Sequence, residues 1–159
     1  MIYLGIDPGI NGALAVLDSD GDIIDIFDMP ALEYKSGKSV KRRVNPQGIV
    51  AELALFKDQS VQGIIEQVSA MPGQGVTSMF SFGRALGVLE GVLAGLLIPY
   101  DHVTPSVWKK EMKINASKDG ARELAMRYWP HKAQMFKRKK DDGRAEAALL
   151  ALYLYKVRQ

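Results

Sequence analysis

The sequence predicts an α/β fold: a mixed five-stranded sheet with helices on both faces. Three observations lead there. Five apolar runs of strand length occupy residues 2–7, 13–17, 23–27, 61–68 and 100–104. Only turn-length segments separate the first three, which makes them an antiparallel meander. From residue 46 onward the strands alternate with segments of helical periodicity, the pattern of a sheet covered on each side.

Each element has a local reason. The first strand stops at Asp7, because Pro8 cannot donate to a ladder and Gly9 permits a tight turn. Asp20-Gly21 is a hairpin signal between the second and third strands. Residues 30–45 are polar, basic and without periodicity, and are expected to form a mobile loop. Asn45-Pro46 is a cap followed by proline at the first helical position, opening a helix to about Phe56. Residues 61–68 are rich in β-branched side chains and carry Glu66. After the breaker-rich loop Met71–Gly75, a long helix is expected from Thr77 or Ser78 to about Leu97. Phe82, Leu86, Leu89, Leu93 and Leu96 form its apolar face.

Gly83, Gly87, Gly91 and Gly95 form a second stripe on that helix. A helix-interior glycine costs roughly 0.5–1 kcal/mol relative to alanine, so four in line call for close packing on a helix of this chain or of a second subunit. Arg84 and Glu90 interrupt the apolar run too early for a membrane span. Pro105 opens a short helix to about Met112, Ser117 caps another that ends near Trp129-Pro130, and residues 131–140 are a basic loop. The last helix runs from Asp141 or Asp142 to about Val157, with Ala145, Ala148, Leu149 and Leu152 on one face. Trp108 and Trp129 are assigned to the core.

Length and composition bound the function. With 159 residues, 47% of them hydrophobic, the chain suits one globular domain spanning 1–159. The absence of cysteine excludes disulfides and thiolate zinc sites. His102 and His131 are too far apart in sequence to suggest a histidine metal site. Asp7 interrupts the opening apolar run and no basic segment precedes it, which argues against a signal peptide and for a cytoplasmic protein. The net charge of +3 hides an asymmetry: residues 1–34 hold seven acids and no Lys or Arg, whereas the remainder holds 21 bases against 11 acids. The bases cluster at Lys35–Arg43, Lys109–Lys118 and Lys137–Lys140, favouring a polyanionic partner.

Acids from three distant places are candidates to converge: Asp7 at a strand tip, Glu66 near the end of a buried strand, and Asp142 with Glu146 four residues apart on one helix face. Taken singly, Asp7 could be a turn residue, Asp142 a helix N-terminal acid, and Glu146 a surface ion-pair partner. Glu66 is harder to explain away, because glutamate is rare in such a strand unless paired or coordinated. Together the four suit Mg²⁺, a hard cation that takes carboxylate oxygens and leaves positions for phosphate. Two such ions would activate a water and stabilise the leaving oxygen of a phosphodiester.

Gly5-Ile6-Asp7-Pro8-Gly9 with Gly12 and Ala13, Ile64-Ile65-Glu66-Gln67, and the acids of Asp141–Ala147 resemble the RuvC-type Holliday-junction resolvases over nearly the whole chain. The compact, cysteine-free form resembles the phage-encoded branch. The resemblance implies an RNase H-like fold, a homodimer, Mg²⁺ or Mn²⁺ as cofactor, and symmetric nicking of four-way DNA junctions. It maps metal-binding acids onto Asp7, Glu66 and Glu146. The family's last two acids are aspartates three apart; here position 143 is Gly, so the remaining role goes to Asp142, with Asp141 second.

The resemblance also implies DNA-backbone contacts at Lys109 and Lys118, a patch that Lys110 and Lys113 extend. Met71, Phe80 or Phe82 could stack at an opened junction centre, although core burial is the preferred reading of Phe82. Related alternatives are a nuclease for other branched DNA or RNA–DNA hybrids on the same fold, and a non-catalytic DNA-binding module. A sugar-kinase or actin-like nucleotide-binding half shares the Gly-Ile-Asp strand end but needs a second lobe.

Overall fold

A computed structural model describes residues 1–159. Its main sheet has the order β3-β2-β1-β6-β7, built from β1 (Ile2–Asp7), β2 (Ala13–Leu17), β3 (Ile23–Asp28), β6 (Val61–Glu66) and β7 (Tyr100–Val103). The first three strands form the expected meander, antiparallel throughout, and β6 and β7 add in parallel beside β1. The parallel pairs follow from helical crossovers: α1 (Pro46–Leu53) precedes β6, and α2 (Val76–Gly95) lies between β6 and β7. Then come α3 (Pro105–Glu111), α4 (Gly120–Tyr128) and α5 (Asp142–Val157).

Side-chain alternation divides the core in two. Ile2, Leu4, Ile6, Leu14, Val16 and Ile65 join Ile49, Leu89 and Leu93 on the α1/α2 side. Tyr3, Ala13, Ala15, Leu17 and Ile64 join Trp108, Ala125 and the Ala-rich α5 on the other. Helices thus cover both faces, as predicted. Gly5 lies in β1 between Tyr3 and Asp7, where a Cβ would run into the Ala147 carbonyl oxygen and the Ala151 nitrogen. Its lack of a side chain lets α5 lie directly on the sheet.

Several expectations need correction. Residues 30–45 are not a loop: β4 (Ala31–Ser36) and β5 (Ser39–Val44) pair as an antiparallel hairpin outside the main sheet. Gly37, at φ +61°, takes the first central position of its two-residue turn, the glycine position of a type II′ turn. Ser117 does not cap α4, which starts three residues later with Asp119 before it. The segment 131–140 is mostly wound into 3₁₀ turns, with Phe136 buried near Trp129. On α2, Phe82 is 43% exposed rather than core. The four glycines of that helix meet no heavy atom within 4 Å of where a Cβ would stand, so no helix of this chain packs on the stripe. The helix is long and apolar enough to cross a membrane, yet Ala85, Leu89 and Leu93 are buried against the sheet.

Candidate active site

Strand parity and register bring the first two acids together. Asp7 follows Tyr3 and Gly5 on the α5 side of β1, and Glu66 follows Ile64 on the same side of β6. Gly5 pairs with Ile64 and Ile6 with Ile65, so Asp7 and Glu66 finish adjacent parallel strands side by side. The helix lying across that face contributes Glu146 from its second turn. Carboxylate oxygens of Asp7, Glu66 and Glu146 all lie within 4.8 Å of one another. Three of the four predicted acids therefore converge.

Asp142 does not join them. Its carboxylate accepts a hydrogen bond of 3.1 Å from Nε of Arg122, and its side chain is 54% exposed. The guanidinium of Arg122 is buried and also donates to the carbonyls of Phe136 and Lys137 and to Asp119. A buried cation must be given acceptors, and Asp142 is one of them. Asp141, the second choice, is buried but turned away. It accepts from the backbone and guanidinium of Arg138, closing the turn before α5.

The electrostatics show how much charge is crowded here. Burial pushes the Asp7 carboxyl well above its usual range, and Glu146 and Glu66 push it further, against the opposing charge of Lys109. Burial also raises Glu66; the Trp108 indole, donating at 2.9 Å, works against the rise, and Glu146 adds to it. Lys109 stands inside the cluster, 2.6 Å from Glu146 and 4.0 Å from Glu66. Burial pulls its ammonium down, but the hydrogen bond and charge of Glu146, with Glu66 and Asp7, outweigh this and hold it above its usual value. Lys109, expected among the DNA-backbone contacts, lines the cleft with its side chain 37% exposed and is also the counter-charge of the acids. Its neighbour Trp108 is core, as expected, and holds Glu66 as well. Sequence reasoning missed that second task, whose only signal is the adjacency of Trp108 to Lys109.

Asp7 and Glu146 line a cleft of about 1070 Å³. Phe80, Phe82 and Arg84 of α2, Lys109, Lys118, and residues 40–44 of the hairpin line it too. Lys118 thus faces the same cleft as the acids, whereas Lys110 and Lys113 are exposed outside it. Phe80 is 72% exposed and Met71 62%.

The five-stranded order, three antiparallel strands continued by two parallel ones with acids at the tips of the central pair, is an RNase H-like fold. The particular likeness is to RuvC. The structure of Thermus thermophilus RuvC in complex with a Holliday junction substrate matches with a TM-score of 0.59 at 14% identity, over 99% of this chain and 96% of that one. A second T. thermophilus RuvC structure matches with a TM-score of 0.55 at 17% identity and the same coverage. No protein-family model matches the sequence, and no curated protein matches it either.

Proposed function

We propose that this chain is a metal-dependent endonuclease, a single catalytic domain that resolves four-way DNA junctions by hydrolysing phosphodiesters as a homodimer. The observation that carries the reading is the meeting of Asp7, Glu66 and Glu146 beside a basic cleft, in the fold of a protein whose structure holds a Holliday junction. Three oxygen donors within 4.8 Å, two of them with raised pKa, suit a hard divalent cation such as Mg²⁺ or Mn²⁺. One or two such ions would lower the pKa of a water and neutralise charge on the phosphate. Asp7, without a hydrogen-bond donor of its own, has the freest oxygens for that role. Trp108 fixes the orientation of Glu66, and Lys109 that of Glu146. Lys118 and Arg84 offer positive charge to the phosphate backbone in the cleft. Phe80 and Met71, both exposed, are available to stack on unpaired bases at the branch point. The open glycine face of α2 is the surface proposed for the second copy.

The test is incubation with a labelled four-way junction, a fork, a linear duplex and an RNA–DNA hybrid, each with Mg²⁺, Mn²⁺ or EDTA. Paired nicks in opposing junction strands, dependent on the cation and lost in Asp7→Asn, are the expected result. Preferential cutting of the hybrid would transfer the site to that substrate on the same fold. Cutting unaffected by EDTA would remove the metal from the proposal.

A further inference from the structure

The hairpin β4–β5 belongs to neither face of the sheet, and its chemistry is unusual for an appendage. Its root is fixed: Asn45 donates its backbone N–H to the Pro30 carbonyl at 2.8 Å, and Val44 is buried with Ile49 and Leu53. Beyond the root it is exposed. It carries Lys35, Lys38, Lys41, Arg42 and Arg43 against one acid, Glu33. None of the five bases forms an ion pair; the nine ion pairs of the chain all lie elsewhere. Cross-strand register even places Tyr34 opposite Lys41, with Arg43 over the Tyr34 ring at 5.5 Å. Register sets Arg42 opposite Glu33 but no acid opposite Lys35, Lys41 or Arg43, so the ribbon keeps a net positive charge that suits an external anion.

The position of the ribbon says which anion. Tyr34 and residues 40–44 line the same cleft as Asp7, Glu146 and Lys118. Six-residue strands at about 3.4 Å per residue make a ribbon about 20 Å long, and duplex DNA presents one phosphate charge per roughly 1.7 Å of axis. We infer that the β4–β5 hairpin grips the backbone of the duplex arm that enters the cleft, through Lys35, Lys38, Lys41 and Arg42. This rests on the reading of the site as a DNA nuclease. The contacts are assigned to phosphate, which takes roughly half to two-thirds of protein–DNA hydrogen bonds, largely from Lys and Arg. The hairpin therefore contributes affinity and salt dependence, and leaves base preference unchanged.

The test compares the wild type with K35A/K38A/K41A/R42A, all four positions being exposed, and with the charge-keeping K35R/K38R/K41R. Junction binding is measured in EDTA between about 50 and 200 mM salt, with thermal melting to confirm the fold. Each lost phosphate contact lowers the slope of log affinity against log salt by about 0.9, so the alanine variant should lose about 2–4 of slope. At the lowest salt its affinity should fall roughly 10- to 100-fold. The arginine variant should match the wild type in both slope and affinity. A wild type that binds the junction, with slope and affinity unchanged in the alanine variant, overturns the hairpin assignment alone. A wild type that binds no DNA overturns the nuclease reading with it.

Discussion

Replacing Asp7 by Asn should stabilise the protein while removing its response to divalent cations. Asp7 is half-buried beside two other carboxylates, with oxygens within 4.8 Å. At an effective dielectric near 20, two unit charges at that separation repel by about 3.5 kcal/mol. Lys109 offsets part of this, since its charge lowers the Asp7 pKa, which leaves a net penalty of about 1–3 kcal/mol for ionised Asp7. The sign follows from linkage. An acid whose folded-state pKa is raised binds its proton more tightly when folded. Its contribution to stability is present below the unfolded value near 3.9 and is lost as pH rises through the folded value. At neutral pH the wild type therefore carries a strain that Asn lacks. In EDTA at pH 7, Asp7→Asn should melt about 2–12 °C higher, at roughly 2–4 °C per kcal/mol for a chain of this size. Acidification from pH 7 should narrow that gap. Mg²⁺ or Mn²⁺ should raise the melting temperature of the wild type and leave the variant nearly unmoved. The reasoning is refuted by a variant less stable than the wild type in EDTA, or by an equal cation-induced rise in both.

Other perturbations probe the frame around the site. Gly5→Ala drives a methyl into the Ala147 carbonyl and the Ala151 nitrogen, and should cost about 2–3 kcal/mol in denaturant melts because helix backbone cannot step aside. Gly87→Leu meets open space within the chain, so it should keep the melting temperature of the monomer and abolish dimerisation in sedimentation experiments. A dimer that survives it removes the glycine face from the interface. Burial alone would raise the Asp141 carboxyl, but its hydrogen bonds from Arg138 hold it below the usual value. That stability is present above the unfolded value near 3.9 and lost as pH falls through the folded one. Asp141→Asn should lower stability at pH 7 by about 1–2 kcal/mol and flatten acid denaturation below about pH 4.

Most of the sheet was legible because each strand announces itself by an apolar run bounded by turn chemistry, and the helices by caps and periodicity. The hairpin was not, for a physical reason. A ribbon with both faces in solvent has no apolar alternation to display, only the faint pairs Leu32/Tyr34 and Val40/Val44 among basic residues. Gly37 was the available signal, as the first residue of a two-residue turn. Phe82 was read as core because its helical spacing matches Leu86 and Leu89, yet the apolar stripe of α2 extends past the sheet it covers, and its first turns border the cleft. Asp7, Glu66 and Glu146 could be proposed from strand ends and helix position. Their neighbour Lys109 was expected at the DNA backbone, since nothing in a one-dimensional pattern reveals that α3 also sets it against Glu146.

The missing fourth acid has a steric origin that sequence spacing conceals. Residue 143 of α5 lies close to Asp7: a Cβ there would stand 3.1 Å from the Asp7 carboxylate and 2.6 Å from the Asn11 carbonyl oxygen. Where the resolvases it resembles place an aspartate, this chain brings the loop after β1 so close to α5 that only glycine fits. Asp142, one residue earlier and on the same face as Glu146, does not substitute, because its carboxylate is engaged elsewhere. It accepts from Arg122, whose burial already requires acceptors. Three acids, with Lys109 beside them, thus stand where four acids would otherwise meet, and the cluster is less negative by one. A pocket of that charge should hold divalent cations more weakly than a four-acid one, and Lys109 must yield part of its bond to Glu146 when an ion enters. Lys109→Met should therefore tighten cation binding, measured as Mn²⁺ affinity by calorimetry, while lowering stability in EDTA; weaker Mn²⁺ binding in that variant would show that the lysine organises the acids rather than competing with the ion.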